Sequence, residues 1–137
     1  MCQILTTNIR ILILKPYKCS ANRLTIGYGR NLDDIGITKD EAEMMLTNDT
    51  DRCLSALSAI FGDNFLYKLS HQRKVVLVDM MYNLGKTRFL TFKKMIQAVK
   101  DKDFNEASVQ LLDSKYARQL PERSERNAGM MRISGRK

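Results

Sequence analysis

The sequence predicts an α+β fold in which a small β region precedes a mostly helical lobe, and three observations carry this prediction. Residues Leu24–Gly29 are typical of a short strand that enters a Gly-Tyr-Gly turn. Thr38 and Glu41 form a capping box, which marks the start of a helix. The segment 75–81 is apolar at all but one position, so a helix formed there would present apolar side chains nearly all round. These signals place strands before helices, which is the α+β order.

The helical part is predicted to begin with one long helix and one buried helix. After Thr38, apolar residues recur at mostly helical spacing to about residue 60. Ser70 is then the expected N-cap of the apolar helix, and Gly85 is expected to end it in the left-handed conformation that favours glycine. His71 is the only histidine and falls in the first turn, where we expect it to face solvent. The apolar helix should therefore lie at the centre of the helical lobe.

Three shorter helices are predicted to follow. The first covers about residues 91–100. The second begins at a capping pair of Asp103 and Glu106 and ends near residue 112. Pro121 suits the first turn of a final helix, which extends to about residue 133. Most methionines fall at helical positions, where filling the core is their usual role. These methionines are Met44, Met45, Met80, Met81, Met95, Met130 and Met131.

The composition indicates a globular domain that attracts polyanions. At 137 residues the chain is long enough to bury its own core as a single domain. The formal net charge of +8 favours peptidoglycan, another anionic polymer, nucleic acid or an anionic membrane surface as a partner. The alternative is that the charge serves solubility and weak nonspecific binding. The sequence contains no nucleic-acid-binding motif that we recognise, so we expect no specific nucleic-acid partner.

The cysteines and the N-terminal apolar run bear on metal binding, on the redox compartment and on membrane insertion. Cys2, Cys19 and Cys53 are an odd number without metal-ligand spacing, and with one histidine they predict neither a metal nor a cofactor. They favour a reducing compartment, or a fold that is indifferent to oxidation. The apolar run 9–14 is interrupted by Arg10 and is too short to span a bilayer. We therefore expect a cytoplasmic monomer with no membrane span.

Four segments carry a resemblance to a known family. They are Leu14–Lys18 leading into Leu24–Gly29, then Gly36–Glu43, then Met81–Gly85 followed by Phe92, and finally Ser114–Arg126. The segments occur in order and with matching separations, which is far more specific than any one of them alone. From about residue 14 to residue 131 the chain resembles the phage-type lysozymes, a family of glycoside hydrolases.

The resemblance implies that residues 1–137 form one lysozyme-like domain. In the family, the N-terminus begins with a helix that packs on the helical lobe. The β-branched residues Ile9, Ile11 and Ile13 favour a strand here, but packing of an apolar face usually outweighs propensity, so we expect a helix around residues 3–12. The implied parts are a minor β lobe over about 14–37, an interdomain helix over about 39–60 and a helical lobe over about 61–133.

The catalytic positions that the resemblance implies are incomplete. The family pattern is Glu, eight residues, Asp or Cys, five residues, Thr. Counting back from Thr25 gives Cys19 in the second place and Arg10 in the first. A guanidinium stays protonated at neutral pH and is a very poor proton donor. The first acidic residue of the chain is Asp33, which follows the strand-turn region instead of preceding it. The expected site therefore contains Cys19 and Thr25 but lacks the general acid.

Each remaining catalytic position has a functional and a structural interpretation. The Cys19 thiol could polarise water or attack the sugar if Arg10 or Lys18 lowered its pKa. Without an acid partner, we favour the interpretation that Cys19 is an inert remnant of the catalytic position. Thr25 could bind a water molecule, but threonine is also simply a good strand residue.

The resemblance also implies four substrate-binding residues. Gln119 and Arg123 would hold sugar or peptide, and Tyr82 and Asn83 would line the saccharide groove. The structural alternative is ordinary packing at helix ends, together with helix-cap and surface polar contacts.

Two hypotheses for function follow. The first is a phage or prophage lysozyme-like protein, related to endolysins, whose family cleaves the β-1,4 bond between N-acetylmuramic acid and N-acetylglucosamine. In this hypothesis the chain is a pseudoenzyme, because Arg10 replaces the acid. The second is a non-catalytic binding protein on a lysozyme fold, which binds glycan or a host protein in a counter-defence or regulatory role. Activity measurements distinguish the two, since only the first hypothesis allows residual hydrolysis.

Overall fold

A computed structural model of the protein describes residues 11–133. Over these residues the chain forms a three-stranded antiparallel sheet followed by seven helices, which confirms the predicted α+β fold class. The chain divides into two units, Met1–Leu46 and Thr47–Lys137. The helix expected around residues 3–12 lies outside the described residues, except for Ile11 and Leu12, which are in neither a helix nor a strand.

The sheet of the first unit is built from strands β1 (Ile13–Lys18), β2 (Leu24–Gly27) and β3 (Arg30–Asn31), in that order. Tyr17 lies opposite Thr25 in the antiparallel pair of β1 and β2. The pairing becomes irregular towards Ile13, which is opposite Gly27. Strand β1 was not predicted. It contains Pro16, which cannot donate a hydrogen bond to a neighbouring strand and is therefore confined to sheet edges.

An ion pair joins the sheet to the start of the first helix. Arg30 donates from Nη1 to Glu41 Oε1 at 2.7 Å and from Nη2 to Glu41 Oε2 at 2.6 Å. The same Nη1 also donates to the Gly36 carbonyl at 3.0 Å. Glu41 Oε1 accepts the Thr38 amide at 2.8 Å, and the Glu41 amide donates to Thr38 Oγ1 at 3.1 Å, which confirms the capping box. Its bond to Arg30, followed by its bond to the Thr38 amide, lowers the pKa of Glu41 to about 2.

Helix α1 (Lys39–Phe61) buries few of its apolar side chains. Only Cys53 and Leu57 are buried along its length. Met44 and Met45 are 66% and 52% exposed, so the expectation that these two methionines fill the core is wrong. Helical spacing of apolar residues identified the helix correctly, but it did not identify which of them are covered by other elements.

After α1, the chain continues in the second unit with α2 (Asp63–Lys68) and α3 (His71–Phe89). Helix α2 was not predicted. Ser70 caps α3 by accepting the Arg73 amide at 3.4 Å, and His71 is exposed, as expected. Gly85 interrupts α3 with φ 81° and ψ 164°, a backbone conformation that glycine adopts far more readily than other residues, and one further turn follows it. Val75 is exposed, so α3 is not covered on every side.

Four helices complete the unit: α4 (Lys93–Lys100), α5 (Phe104–Leu112), α6 (Lys115–Gln119) and α7 (Pro121–Arg132). Asp103 caps α5 by accepting the Glu106 amide at 3.2 Å, and Pro121 begins α7, both as predicted. The five-residue helix α6 was not predicted. Residues from α3, α4, α5 and α7 supply most of the fully buried side chains. The largest of these are Phe89, Leu77, Met80, Met95, Leu111 and Met131.

A buried arginine, Arg73, donates hydrogen bonds to the last carbonyl groups of α7. Arg73 donates from Nε to the Met131 carbonyl at 2.8 Å and from Nη2 to the Arg132 carbonyl at 3.2 Å. Its guanidinium carbon lies 3.6 Å from the centre of the Phe104 ring. The last carbonyls of a helix have no partner within the helix, so Arg73 satisfies groups that would otherwise be left unpaired. Burial lowers the pKa of this guanidinium from its usual value.

Among residues 11–133, no helix combines the length and the apolar character that a bilayer crossing requires.

Candidate functional site

The predicted site residues fall into two groups, one in each unit. Cys19 and Thr25 belong to the first unit, and Tyr82, Asn83, Gln119 and Arg123 belong to the second. Arg10 lies outside the described residues. Each group is described within its own unit.

A single backbone carbonyl connects the two predicted catalytic positions of the first unit. The Arg23 carbonyl accepts the Cys19 amide at 3.0 Å and the Thr25 hydroxyl at 2.8 Å. The turn that makes this possible has Asn22 at φ 61°, and its amide donates to the Cys19 carbonyl at 2.8 Å. Asparagine tolerates this left-handed conformation better than most residues. The turn therefore fixes Cys19 and Thr25 relative to one another.

Neither of these two side chains is an exposed reactive group in this structure. Thr25 is 0% exposed, and its hydroxyl proton is directed at the Arg23 carbonyl. The hydroxyl oxygen keeps lone pairs with which it can still accept a hydrogen bond. Cys19 is engaged in a disulfide bond, so its sulfur is not a thiolate in this state.

The nearest carboxylates of the first unit hold the strands and the turn. Asp33 accepts the Leu24 amide at 2.7 Å through Oδ2. Asp34 accepts Asn31 Nδ2 at 2.9 Å and lies 3.5 Å from Arg23 Nε. Both carboxylates therefore have structural partners next to Thr25, and sequence order alone did not indicate that Asp33 contacts strand β2.

In the second unit, Asp79 is the centre of a polar network. Arg123 Nη1 donates to Asp79 Oδ1 at 2.7 Å, and Asn127 Nδ2 donates to Asp79 Oδ2 at 2.9 Å. Asn127 Nδ2 also lies 2.9 Å from the phenol oxygen of Tyr116. Asn83 Nδ2 contacts the Asp79 carbonyl at 2.7 Å and its carboxylate at 3.3 Å. We call Asp79, Asn83, Tyr116, Arg123 and Asn127 the Asp79 network.

The network brings together two of the predicted binding residues, Asn83 and Arg123, through a residue that was not predicted. Asp79 was the one acidic residue in the apolar segment 75–81, and this exception was the signal that could have identified it. Asn127 and Tyr116 are nearly fully buried. Burial raises the pKa of Tyr116, although its hydrogen bond with Asn127 opposes this shift. Because Arg123 is held by Asp79, its charge is balanced within the second unit.

The other two predicted binding residues, Tyr82 and Gln119, are not part of the Asp79 network. Tyr82 is half-exposed at the end of α3, consistent with either packing or ligand contact. Gln119 lines a cavity of about 420 Å³ within the second unit, next to Tyr116. Leu84, Phe92 and Met95 give this cavity an apolar lining.

The charged side chains that line the cavity beside Gln119 are mainly cationic. Four basic residues and one acidic residue contribute to its lining, along with neutral polar side chains. A lining that combines cations with apolar side chains suits a ligand that carries carboxylates on an apolar or peptide framework. The charged residues are Arg88, Lys93, Lys94, Lys115 and Asp113.

Over the part of the chain that the structure describes, no group of three or more histidine, cysteine, aspartate or glutamate side chains is arranged to hold a metal ion.

Comparisons with known proteins agree on one family. The family model for phage lysozyme matches residues 11–132. An endolysin from Acyrthosiphon pisum secondary endosymbiont phage 1 is 28% identical over 103 residues, which is 72% of this chain and 66% of that protein. A probable T4-type lysozyme 1 from Dictyostelium discoideum is 28% identical over 91 residues, covering 66% of this chain and 54% of that protein. The chain thus spans between about half and two thirds of the relatives that it matches.

Proposed function

Because the chain belongs to the phage lysozyme family, we propose that it is an endolysin-related protein that binds peptidoglycan but is impaired in cleaving it. The bond concerned is the β-1,4 link between N-acetylmuramic acid and N-acetylglucosamine. One observation supports the impairment: the family spacing, counted back from Thr25, falls on Arg10, and no carboxylate precedes Asp33 in the sequence.

The chemistry of glycoside hydrolysis supports this proposal. Cleavage needs a carboxylic acid that protonates the leaving oxygen, and a guanidinium cannot take its place. Loss of a positioned general acid typically reduces the rate by about 10²–10⁴. In the first unit Asp33 and Asp34 already have partners in and beside the strands, and in the second unit Asp79 binds Arg123 and Asn127. None of them is positioned as a free acid within its own unit.

The charge distribution supports retained binding. The chain carries a net charge of +8, and the cavity beside Gln119 has four basic residues in its lining. Peptidoglycan presents carboxylates on its peptides, so this cavity is chemically suited to hold part of that polymer. Binding and catalysis are therefore separable properties of this protein.

The test is clearing of chloroform-treated Gram-negative cells by the purified protein, beside the variants Arg10→Glu and Arg10→Gln. We expect the wild type to show no clearing above background. Arg10→Glu should clear cells at least partly, because it restores an acid to the family position. Arg10→Gln removes the same positive charge without supplying an acid, and it should remain inactive.

Binding to purified cell-wall sacculi is measured separately in a sedimentation assay, so that lost catalysis is not mistaken for lost binding. Robust clearing by the wild type, abolished by Cys19→Ala, would contradict the impairment. Failure of the wild type to sediment with sacculi would contradict the retained binding.

A further inference from the structure

The first unit contains an open groove lined by apolar side chains. Its volume is about 890 Å³, which gives room for several apolar side chains of a ligand. Five of its lining residues are large and exposed: Tyr28, Ile35, Ile37, Met44 and Met45. The exposed fraction reaches 67% at Ile35 and 66% at Met44. We call this cavity the methionine groove. Contiguous apolar surface of this kind is unusual on a protein that has no partner for it.

The surroundings of the methionine groove are acidic, although the protein as a whole is basic. Residues 31–46 contain five carboxylates and a single cation, Lys39, in a chain whose net charge is +8. Asp34 and Glu41 line the groove itself together with one cation, Arg30, so the charged lining is net negative by one. The local charge is therefore opposite to that of the rest of the molecule, and it favours a cationic ligand.

The walls of the groove are held in place by contacts within the unit. Arg30 is fixed by both carboxylate oxygens of Glu41 and by the Gly36 carbonyl. Asn31 is fixed by Asp34, donating to its carboxylate and accepting its amide at 3.0 Å. Two methionines form part of the lining, and methionine adapts to side chains of different shape. The groove thus combines a fixed frame with an adaptable apolar lining.

The apolar lining and the acidic surroundings of the methionine groove favour one class of ligand over the others. A saccharide needs free hydrogen-bonding groups, but the polar side chains of Arg30 and Asn31 are already committed to Glu41 and Asp34. An anionic membrane surface and nucleic acid are repelled by carboxylates. A symmetric pair of copies would bring the same acidic residues face to face. An amphipathic helix with a basic polar face satisfies both the apolar lining and the surrounding charge.

We propose that the methionine groove is a docking site for a basic amphipathic helix of a partner protein. The apolar side chains of that helix enter the groove, and its lysine or arginine side chains lie against the acidic surroundings. The residues that line this groove include neither Cys19 nor Thr25, and none of them lines the cavity beside Gln119. The proposal does not depend on whether the protein cleaves peptidoglycan.

The test uses a synthetic leucine–lysine peptide of about 15 residues, or roughly four helical turns, with leucines at helical spacing. Binding is measured by fluorescence anisotropy of the labelled peptide, and the site by the ε-methyl NMR signals of Met44 and Met45. We expect these two signals to shift on binding. A peptide of the same composition with scrambled order, and a leucine–glutamate peptide with the same spacing, should each bind at least about tenfold more weakly.

Matched protein variants locate the site. Met44→Lys should weaken peptide binding at least about tenfold, because it places a charged side chain in the groove. Val109→Lys is the control, since Val109 is an exposed apolar residue on helix α5 and the change in net charge is the same. It should alter binding less than about twofold. Ile35→Lys lies outside the helices and gives the same test if Met44→Lys fails to fold, as judged by far-ultraviolet circular dichroism.

Several outcomes would overturn the proposal. The first is no binding of the leucine–lysine peptide, or equal binding of the leucine–glutamate peptide. The second is peptide binding that neither Met44→Lys nor Ile35→Lys reduces. The third is self-association in analytical ultracentrifugation that Met44→Lys abolishes, which would assign the groove to a second copy of the chain. The fourth is binding to vesicles of anionic phospholipid that Met44→Lys abolishes, which would assign it to a membrane.

Discussion

At the scale of single residues, Arg123 has a charge partner within its own unit. The resemblance implies that Arg123 would hold sugar or peptide, and in this structure it is bound to Asp79. Asp79 also accepts a hydrogen bond from the side-chain amide of Asn127, which is 1% exposed. A buried amide that loses its hydrogen-bond partner destabilises the fold more than the intact bond stabilises it. The Asp79 carboxylate is therefore a structural requirement of the second unit.

Replacement of Asp79 tests how much its carboxylate contributes to the stability of the second unit. We expect Asp79→Ala to lower the free energy of unfolding by about 1–3 kcal/mol, because it leaves Asn127 without its carboxylate partner in a buried position. Asp51→Ala is the control, since Asp51 is an exposed aspartate on helix α1. It should change the free energy by no more than about 0.5 kcal/mol. Equal effects of the two variants in urea unfolding would show that the Asp79 network does not stabilise the protein.

At the scale of elements, local signals predicted the helix ends more successfully than the strands. Thr38, Ser70, Asp103 and Pro121 act within one turn of their own position, so the sequence was sufficient to identify them. Strand β1 depends on pairing with β2 across a turn, and helix α6 has only five residues, too few for a periodic pattern. Neither element has a strong signal of its own in the sequence.

In the site, contacts between residues close in the chain are simpler to predict than distant ones. The spacing of Cys19 and Thr25 predicts two catalytic positions, and neighbouring residues in the chain form the turn between them. The partners of Asp79 come from residues 44 and 48 positions further along the chain. Contacts at that separation depend on how α3 and α7 pack, which no local pattern encodes. The exposed methionines of α1 were missed for the same reason.

The bond between β3 and α1 should make stability depend on pH in a defined window. The pKa of Glu41 is lowered from 4.5 to about 2 in the folded protein, mainly by its hydrogen bond to Arg30. A lowered pKa means that the stabilising contribution is complete above pH 4.5 and is lost as the pH falls towards 2. The difference in melting temperature between wild type and Arg30→Gln should therefore be largest near neutral pH and should shrink across this window.

An exposed lysine–glutamate contact on α1 supplies the comparison. Lys39 and Glu43 are exposed and 3.9 Å apart, so Lys39→Gln should have little effect on the melting temperature at any pH. A difference between wild type and Arg30→Gln that stays constant from pH 7 to pH 2 would contradict the role assigned to Glu41.

At the scale of the whole molecule, the uneven distribution of charge separates two kinds of surface. The stretch 31–46 is acidic, while the charged lining of the cavity beside Gln119 in the other unit is mainly basic. Net charge alone would suggest uniform attraction to polyanions. The uneven charge distribution instead indicates that polyanions bind at the basic residues of the cavity beside Gln119. The acidic methionine groove remains available to a cationic ligand.

Binding to cell-wall sacculi should consequently be salt-dependent and localised. Added salt screens charges over about 10 Å at 0.1 M, so binding should weaken as salt rises from low concentration. The double variant Lys93→Gln, Lys94→Gln should lose several-fold more affinity than the double variant Lys100→Gln, Lys102→Gln. Both remove two positive charges, but only the first pair lines the cavity beside Gln119. Equal losses in sedimentation would show that binding depends on net charge and not on the cavity.

The shared carbonyl of Arg23 has a consequence for attempts to re-engineer the protein. Because the Cys19 amide and the Thr25 hydroxyl both bind a main-chain oxygen, exchanging the Arg23 side chain leaves that hydrogen-bond acceptor in place. A change in the length of the turn, in contrast, displaces both positions together. Residues 19–25 can therefore be treated as a segment of fixed length in which the exposed side chains of Ser20, Ala21 and Arg23 are open to variation, whereas Cys19 is disulfide-bonded and Thr25 is buried. A library that aims to recover hydrolysis should diversify residue 10 and these three side chains, and it should exclude insertions and deletions in the segment.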